Sequence, residues 1–461
     1  MKPGAQRSVS GPPPAASALP WERQRRQCAA VCEALEAMLQ AGLTRRAPVD
    51  RELAAYLRQH PHHGARDRRR ISEIVYAVFR WWGWLSALRS GPQASPRLAL
   101  AAAVLELPAE REVLDGLAER CGLEPAVVEA VTAAPAPADR LRRLATAWNA
   151  ALPDLAPETL VPAWTRTELT PPRPWPELIE WLQRRPPLWL RLQGEPAPIL
   201  AELSAAGLEP QPHPRLPFAV AVGRRGINLF TLPVYRRRRV EVQDLASQAV
   251  GAVCAPRPGE RWWDLCAGAG GKTLLLAQLL AGRGTVVATD VRERKLQELK
   301  HRARLAGFSN IVVRTRPGQG WRTRRASFDG VLVDAPCSGS GTWRRNPWAR
   351  WSLRPADLEE LTALQRHLLQ RAAGGVKPGG VLVYATCSMF ACENERIVRG
   401  FLAAHSEFAP EPFAHPLAEA RTDGTLQIWP WDGDGDAMYV ARLRRQSAPR
   451  PKPSTGRPVS G

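Results

Sequence analysis

Two cysteines lie where two predicted strands end. Cys337 follows a β-branched run that ends in Asp334, and Cys387 follows a second run of the same kind. In an open parallel sheet, ligands bind beyond the carboxyl ends of the strands, so both thiols and Asp334 converge on one crevice if the two strands are neighbours. The alternative interpretation, a buried small apolar residue, fits a lone cysteine better than two at matching positions. The pattern therefore predicts free thiols in a ligand-binding crevice.

A glycine-rich loop between Asp264 and Thr273 follows an earlier predicted strand. Its glycines let the backbone pass close to a ligand, and the helix that follows offers free N–H groups. A P-loop would need glycine where Cys266 stands, and the dinucleotide motif would need glycine at Thr273, so the loop favours a small adenosyl ligand. Asp290, about 20 residues further on, ends the next run and is placed to accept hydrogen bonds from ribose hydroxyls.

The elements that must position these residues are strands alternating with helices. Such alternation predicts βαβ units and a mostly parallel sheet covered on both faces. We therefore predict a doubly wound α/β domain over residues 241–443. Its strands are expected at 261–265, 285–290, 311–315, 328–336 and 379–388.

The remainder of the chain differs in composition. Apolar residues recur at helical spacing over 21–148, which predicts an all-α domain. A proline-rich passage and a short mixed stretch follow, so 149–240 is expected to form a linker and a small α/β subdomain. Residues 1–20 and 444–461 are rich in proline, serine and glycine and are predicted to be disordered tails.

The chain is strongly basic, with 64 lysines and arginines against 44 acidic residues and a formal charge of +20; all but six of the basic residues are arginine. A GC-rich genome would explain the choice of arginine but not the net charge. Because arginine grips phosphate and stacks on bases, nucleic acid is the expected partner. Arginines cluster at 66–70, 236–239 and 344–350, and the candidate RNA contacts are Arg68, Arg236, Arg237, Arg344 and Arg345.

Tryptophans accompany the first and third arginine clusters. They either offer stacking faces for bases beside the cations or form a core beneath a solvated surface, and both interpretations stay open. The tryptophans concerned are Trp81, Trp82 and Trp84 after the first cluster, and Trp343, Trp348 and Trp351 within and beside the third.

Composition argues against several other classes of protein. Eight cysteines without CxxC pairs or clustered histidines argue against a disulfide scaffold and a zinc site, so no metal is expected. No apolar run approaches the roughly 18 residues of a membrane span, and the N-terminal segment lacks the apolar block of a signal peptide. We expect a cytoplasmic monomer.

Several motifs carry a resemblance to a known family: DLCAGAGGKT, DAPCSGSGT with RRNP after it, KPGG, and YATCS with Glu393, Asn394 and Glu395 after it. The chain resembles the RNA cytosine-5 methyltransferases of the RsmB/Sun/Fmu type in bacteria and the Nop/NSUN type in eukaryotes. PPLWLRLQG and VQDLASQ resemble the segment ahead of their catalytic domain, and 21–148 resembles the NusB-like RNA-binding domain of the bacterial rRNA enzymes. The resemblance implies a Rossmann-like class I methyltransferase domain acting on RNA, with 16S rRNA as the expected substrate.

The resemblance also implies a cofactor and residue roles. Cys387 would add to carbon 6 of cytosine so that carbon 5 attacks the methyl group of S-adenosyl-L-methionine, and Cys337 would assist release of the enzyme. Asp334 would hydrogen-bond the cytosine ring nitrogen, and Lys272 is placed to lower the pKa of a nearby thiol or to be a solvated cation. The implied cofactor-binding residues are Cys266, Ala267, Gly268, Ala269, Gly270, Gly271, Lys272, Asp290 and Asp334.

Some positions depart from the family pattern. The loop reads AGAGG where AAPGG is usual, and Gln193 stands where asparagine is common. No acid lies between Asn310 and Ser327 to bind the adenine amine, and Thr315 or Gln319 is the candidate replacement. The missing acid keeps open an RNA-binding ribosome assembly factor that has lost turnover. tRNA is an alternative substrate, while Cys266 disfavours a P-loop NTPase.

Overall fold

The computed structural model describes residues 20–91, 93–223, 227–315 and 326–447. Residues 1–19 of the first predicted tail, residues 448–461 of the second, and Gln319 lie outside the described residues. Residues 444 and 445, predicted as the start of the second tail, belong instead to the last strand, which ends at Arg445. The chain divides into two compact units, one up to Ala156 and one from Pro157. We predicted this boundary after residue 148. The other domain boundaries stay predictions.

The first unit is helical, as the apolar spacing predicts. Ile71, Ile74, Val75 and Val78 share one helix face and are fully buried. Trp81, Trp82 and Trp84 are also buried, so the core interpretation of these rings is confirmed and the stacking interpretation is wrong. The α-helices are α1 Pro20–Leu39, α2 Val49–Gln59, α3 Ala65–Arg80, α4 Trp82–Leu85, α5 Ala94–Glu106, α6 Arg111–Arg120, α7 Pro125–Thr132 and α8 Pro137–Ala147.

The second unit begins with a small antiparallel sheet whose strand order is β2-β3-β1-β4. Leu190, Val220 and Val240 of this sheet pack against Ile199 and Leu203 of the helix that follows its first strand. This is the small α/β subdomain that the sequence predicts. Its elements are α9 Trp175–Gln183, β1 Leu188–Leu192, α10 Pro196–Ala205, β2 Pro210–Pro212, β3 Ala219–Val222, α11 Pro233–Arg236 and β4 Val240–Val242.

The larger sheet of this unit has the order β10-β12-β9-β8-β5-β6-β7, with β11 beside β12. Strands β5 to β9 are parallel, as predicted, and β10 to β12 add an antiparallel edge that the sequence prediction omits. The strands are β5 Arg261–Asp264, β6 Thr285–Asp290, β7 Ile311–Thr315, β8 Phe328–Asp334, β9 Val376–Thr386, β10 Phe408–Pro410, β11 Thr425–Ile428 and β12 Met438–Arg445. The helices are α12 Leu245–Cys254, α13 Gly271–Leu279, α14 Glu293–Leu305, α15 Ala349–Ser352, α16 Pro355–Ala373 and α17 Glu395–Ala404.

Helices cover both faces of the larger sheet. The adjacent residues Trp262 and Trp263 of β5 point to opposite faces because side chains alternate along a strand. Trp262 packs in the core that includes Leu276 of α13, and Trp263 packs in the core that includes Leu369 of α16. Both faces are therefore buried, and the carboxyl ends of the parallel strands form the edge at which a ligand can bind.

Two further classes of site can be assessed within the described ranges. No described helix combines the length and the apolar composition that crossing a bilayer requires. The described side chains also contain no cluster of three or more histidine, cysteine or acidic residues arranged to hold a metal ion.

Candidate active site

The two thiols expected to share a crevice lie side by side. In the parallel pair of β8 and β9, Asp334 is level with Ala385. The loops that follow bring Cys337 Sγ within 3.4 Å of Cys387 Sγ. Both cysteines are free and partly exposed, so the pair and Asp334 occupy the carboxyl edge of the sheet together.

Lys272, in the first turn of α13, contacts this cluster. Its Nζ donates to Asp334 Oδ2 at 2.8 Å. Burial opposes the charge on Lys272, but Asp334 outweighs that effect and raises the pKa of the lysine. Lys272 is therefore a buried, paired cation, and its interpretation as a solvated helix-start residue is wrong.

The two thiols differ in acidity. The hydrogen bond between the two sulfurs, in which either can be the donor, lowers the pKa of Cys387. Burial and Asp334 oppose this shift, while Lys272 and Arg345 support it. The same hydrogen bond, together with burial, raises the pKa of Cys337 well above its usual value. The thiolate is the nucleophilic form of cysteine, and a lowered pKa favours that form at Cys387.

Groups beside the cysteines fix both loops. The hydroxyls of Ser338 and Ser388 each donate to the buried carboxylate of Glu393 at 2.5 Å. Gly341 N donates to the Cys387 carbonyl at 3.0 Å, and a Cβ at this glycine would lie 2.0 Å from the carbonyl oxygen of Ala437. Sequence reasoning assigned none of these residues a role, although the motifs CSGSG and ENE contain most of them.

The glycine loop takes the conformation that its composition allows. Gly268 and Gly270 have φ of 54° and 92°, and a Cβ at Gly270 would lie 2.6 Å from Leu299 Cγ. Gly268 N donates to Asp290 Oδ2 at 2.8 Å, so Asp290 stabilises the conformation of the loop. Burial opposes the charge on Asp290, but hydrogen bonds from Arg292 and Gly268 outweigh it and lower the pKa of the carboxyl.

Asp264 is a residue that sequence reasoning used only to mark the start of the loop. Its side chain is buried, and its Oδ2 accepts from Thr273 Oγ1 at 2.7 Å. Its Oδ1 accepts no hydrogen bond within the described part of the chain, and burial raises the pKa of the carboxyl to about 7. The carboxyl lines a cavity and leaves one oxygen for a ligand donor.

Two cavities meet at Cys387. The first, of about 470 Å³, contains the glycine loop, Asp264, Asp290 and both cysteines. The second, of about 410 Å³, lies between the small sheet and the larger one. The residues that line both are Ser247, Gly271, Lys272, Asp334 and Cys387. Six of the predicted loop residues line the first cavity: Cys266, Ala267, Gly268, Ala269, Gly271 and Lys272. Gly270 instead packs closely against Leu299 of α14.

Arg344 was predicted to contact RNA, and this prediction is wrong. The side chain is 1% exposed; it donates to the carbonyls of Arg184 and Gly435 and to Asp434. Arg350 of the same cluster is also buried, and so are Trp343 and Trp348. These side chains pack inside the second unit. Their buried guanidinium groups donate to acceptors inside the protein, which offsets the cost of burying the charge.

The other predicted arginines have different environments. Arg345 is half-exposed and lines the second cavity beside Cys387, with Nε donating to Asp436 Oδ2 at 2.6 Å. Arg236 and Arg237 are exposed. In the first unit Arg68 is folded back, with Nε donating to the carbonyl of His63 at 2.8 Å, so its guanidinium stabilises the turn before α3.

The end of the third parallel strand lies next to residues that the structure leaves undescribed. Thr315 ends β7, and its side chain and Gln319 are outside the described set. On the described side, Val291, Leu364 and Leu368 line the first cavity. These apolar side chains offer contact area to a ligand in that cavity.

Comparison with known proteins agrees with this geometry. The family model described as 16S rRNA methyltransferase RsmB/F matches residues 252–444. Ribosomal RNA small subunit methyltransferase B of Klebsiella pneumoniae is 34% identical over 294 residues, which are 62% of this chain and 66% of that protein, just under two thirds. The enzyme of that name from Photorhabdus laumondii is 33% identical over 297 residues, covering 62% of this chain and 67% of the relative.

Solved structures support the same fold. The structure of PH0851 superposes with a TM-score of 0.72 at 24% identity and covers 91% of this chain and 99% of that one. A methyltransferase homologue from Pyrococcus horikoshii gives a TM-score of 0.50 at 24% identity, with 59% and 90% of the chains covered. The predicted Rossmann-like methyltransferase fold is therefore confirmed, and the chain belongs to the RsmB/RsmF family of 16S rRNA methyltransferases.

Proposed function

We propose that this protein transfers a methyl group from S-adenosyl-L-methionine to carbon 5 of a cytosine in RNA, with small-subunit rRNA as the substrate. The observation that carries the proposal is the meeting of two cavities at Cys387, whose sulfur is in contact with that of Cys337. One cavity suits an adenosyl cofactor and the other suits a base, and Cys387 lines both. A methyl donor and a methyl acceptor would therefore meet beside a nucleophile.

The described residues fit S-adenosyl-L-methionine in the first cavity. The glycine loop brings backbone close to the ligand, and α13 begins directly after it. The unpartnered Oδ1 of Asp264 is available to a ligand ammonium or hydroxyl donor, and Val291 and Leu368 offer contact area for a flat ring. When bound, the cofactor would supply an electrophilic methyl group.

Cys387 would make the cytosine reactive. Carbon 5 is a poor nucleophile until a bond forms at carbon 6, and the Cys387 thiolate would form that S–C6 bond. Lys272 and Asp334 line both cavities, and Asp334 is placed to bind the ring nitrogen as charge develops on the base. Carbon 5 would then take the methyl group.

Cys337 would complete the reaction. After methylation, carbon 5 still carries its hydrogen. When a base takes this hydrogen as a proton, the electron pair left on carbon 5 would form the C5–C6 double bond and the Cys387 sulfur would leave carbon 6 as a thiolate. Cys337, 3.4 Å from Cys387, is placed to assist this release. The target base must leave its stack to reach the cavity, and the exposed arginines Arg236, Arg237 and Arg345 would hold phosphate meanwhile.

The proposal is tested with methyl-labelled cofactor and 16S rRNA from cells that lack the protein. Cys387→Ala should lose at least about a thousandfold in methyl transfer, because removing a catalytic nucleophile removes its step. Cys337→Ala should instead accumulate a covalent protein–RNA adduct, and bisulfite sequencing of the product should show one protected cytosine. Full activity of Cys387→Ala would overturn the mechanism.

The absence of an acid between Asn310 and Ser327, where the family usually has one, motivates a second candidate function. This candidate is an assembly factor that binds rRNA without turnover. Calorimetry with S-adenosyl-L-methionine separates the two candidates. Binding of the cofactor together with methyl transfer supports the enzyme, whereas tight RNA binding without cofactor binding supports the assembly factor. tRNA serves as the comparison substrate in the same assay.

A further inference from the structure

Cys337 and Cys387 are two free thiols whose sulfurs are already in contact. The two Sγ atoms are 3.4 Å apart, whereas the sulfurs of a disulfide are about 2.05 Å apart. Each sulfur therefore has to move by less than about 1 Å to reach bonding distance. The two residues are 50 positions apart in the chain, so the fold and not local sequence brings them together.

The loops after β8 and β9 hold the two sulfurs at this separation. Asp334 of β8 is level with Ala385 of β9, so the two loops begin side by side. Glu393 then accepts hydrogen bonds from the hydroxyls of Ser338 and Ser388 at 2.5 Å each. Since these serines directly follow the two cysteines, one carboxylate fixes both loops in the same way. A bond between the sulfurs would join two loops that already lie beside each other.

Both thiols are accessible to a small oxidant. Each is partly exposed, and each lines the cavity of about 470 Å³ that contains the glycine loop. Two other cysteines, Cys266 and Cys392, are also partly exposed and serve as a comparison within the same chain. The remaining four are buried: Cys28, Cys32, Cys121 and Cys254.

We propose that Cys337 and Cys387 form a peroxide-responsive pair that closes into a reversible disulfide. The thiolate of one cysteine attacks an oxygen of hydrogen peroxide: an S–O bond forms, the O–O bond breaks, and hydroxide leaves. The second sulfur attacks the resulting sulfenic acid, so the S–S bond forms, the S–O bond breaks, and hydroxide leaves again. The two thiol protons convert both hydroxides to water. Either sulfur can react first, because both orders give the same disulfide.

The disulfide would act as a switch on the site, and this consequence rests on the proposed function. It would remove both the thiol that adds to carbon 6 and the thiol that assists release. A dithiol reductant would restore both by thiol–disulfide exchange. The bond would also protect the pair, because a sulfenic acid that condenses with a neighbouring thiol is not oxidised further to the irreversible sulfonic acid.

The test treats the full chain with hydrogen peroxide, without RNA or cofactor, and digests it with trypsin under non-reducing conditions. Cleavage after arginine places Cys337 in the peptide 326–344 and Cys387 in the peptide 372–396, which also contains Cys392. The variant Cys392→Ser therefore leaves one cysteine in each peptide. The two peptides should become linked, with the loss of two hydrogen atoms, in this variant and in the unmodified protein. Dithiothreitol should separate them again.

The matched control is Cys337→Ser, which should give no linked peptides. A pair that stays unlinked in the unmodified protein overturns the inference, and so does a link to Cys266 in its place or sulfonic acid at either cysteine without a link. Methyl transfer is assayed in the same samples and should fall in proportion to the linked fraction, then return with dithiothreitol. Methyl transfer that is absent before treatment, or constant while the link forms, overturns the proposed function; the linked peptides decide the inference separately.

Discussion

The arginine clusters at 344–350 and at 236–239 carry the same residue type but lie in different environments. Arg344 and Arg350 are almost completely buried, while Arg236 and Arg237 are exposed. The three arginines of 344–350 and the four of 236–239 all counted toward the net charge of +20. Net charge therefore overstates the positive surface that faces a polyanion, because part of the charge satisfies groups inside the protein.

The buried cluster has a specific structural task. Arg350 donates to the carbonyls of Leu160 and Leu182, and Arg344 donates to the carbonyl of Arg184. Carbonyls at the end of a helix such as α9 lack partners within the helix. The two guanidinium groups satisfy these carbonyls and so tie the segment before β1 to the loop after Cys337.

The largest expected effect is on stability, in Arg350→Leu. Leucine fills much of the volume but leaves the carbonyls of Leu160, Leu182 and Trp343 without this donor. The free energy of unfolding should fall by about 3 kcal/mol, since each buried polar group left unsatisfied costs about 1–3 kcal/mol. Urea denaturation followed by tryptophan fluorescence measures this change.

Arg237→Leu is the matched control at the exposed cluster. Its side chain is 65% exposed, and the nearest carboxylate oxygen, on Glu202, is 3.8 Å away. Surface substitutions of this kind usually change stability by less than about 0.5 kcal/mol. Equal destabilisation by the two variants would show that the contrast between the clusters is wrong.

The sequence predicts local features well and long-range ones poorly. Strands 285–290 and 311–315 were predicted to the residue, and the strand ends were enough to bring Cys337 and Cys387 together. Local runs and their spacing carry that information. The burial of Arg350 could not be predicted, because its carbonyl acceptors lie 190 and 168 residues away along the chain.

Glu393 shows the same limit within the site. The motif contains it, but four acceptor contacts appear only when strands β8 and β9 place Ser338 and Ser388 beside it. The antiparallel edge strand β12 was also omitted, since its pairing partner β9 is distant in the sequence. Features that depend on a partner from another element need the structure.

A smaller effect is expected at Arg345, the exposed neighbour of buried Arg344. Its charge helps to lower the pKa of Cys387, so Arg345→Gln should raise that pKa. The thiolate would then form only at higher pH, and the acidic limb of the kcat/KM profile should move to higher pH. We expect a several-fold loss of kcat/KM at neutral pH and a smaller loss at pH 9.

Arg345→Lys keeps the positive charge and should retain the pH profile of the unmodified protein. Arg345→Lys should unfold like the unmodified protein, whereas Arg345→Gln also removes the cation beside the buried Asp436 carboxylate, so its activity is compared at matched folded concentration. A profile that does not move in Arg345→Gln would mean that Arg345 acts on RNA alone and not on the thiol.

The smallest effect is expected for the double variant Arg236→Ala and Arg237→Ala. If both guanidinium groups contact phosphate, the slope of log affinity against log salt should decrease by about 1 to 2, because each contact releases counterions. Affinity for rRNA should fall several-fold at low salt, while kcat and the free energy of unfolding stay the same. Arg396→Ala, an exposed arginine paired with Glu168, is the control. An unchanged salt slope would mean that exposure alone does not identify the arginines that face RNA, and the contrast between the clusters would then describe stability only.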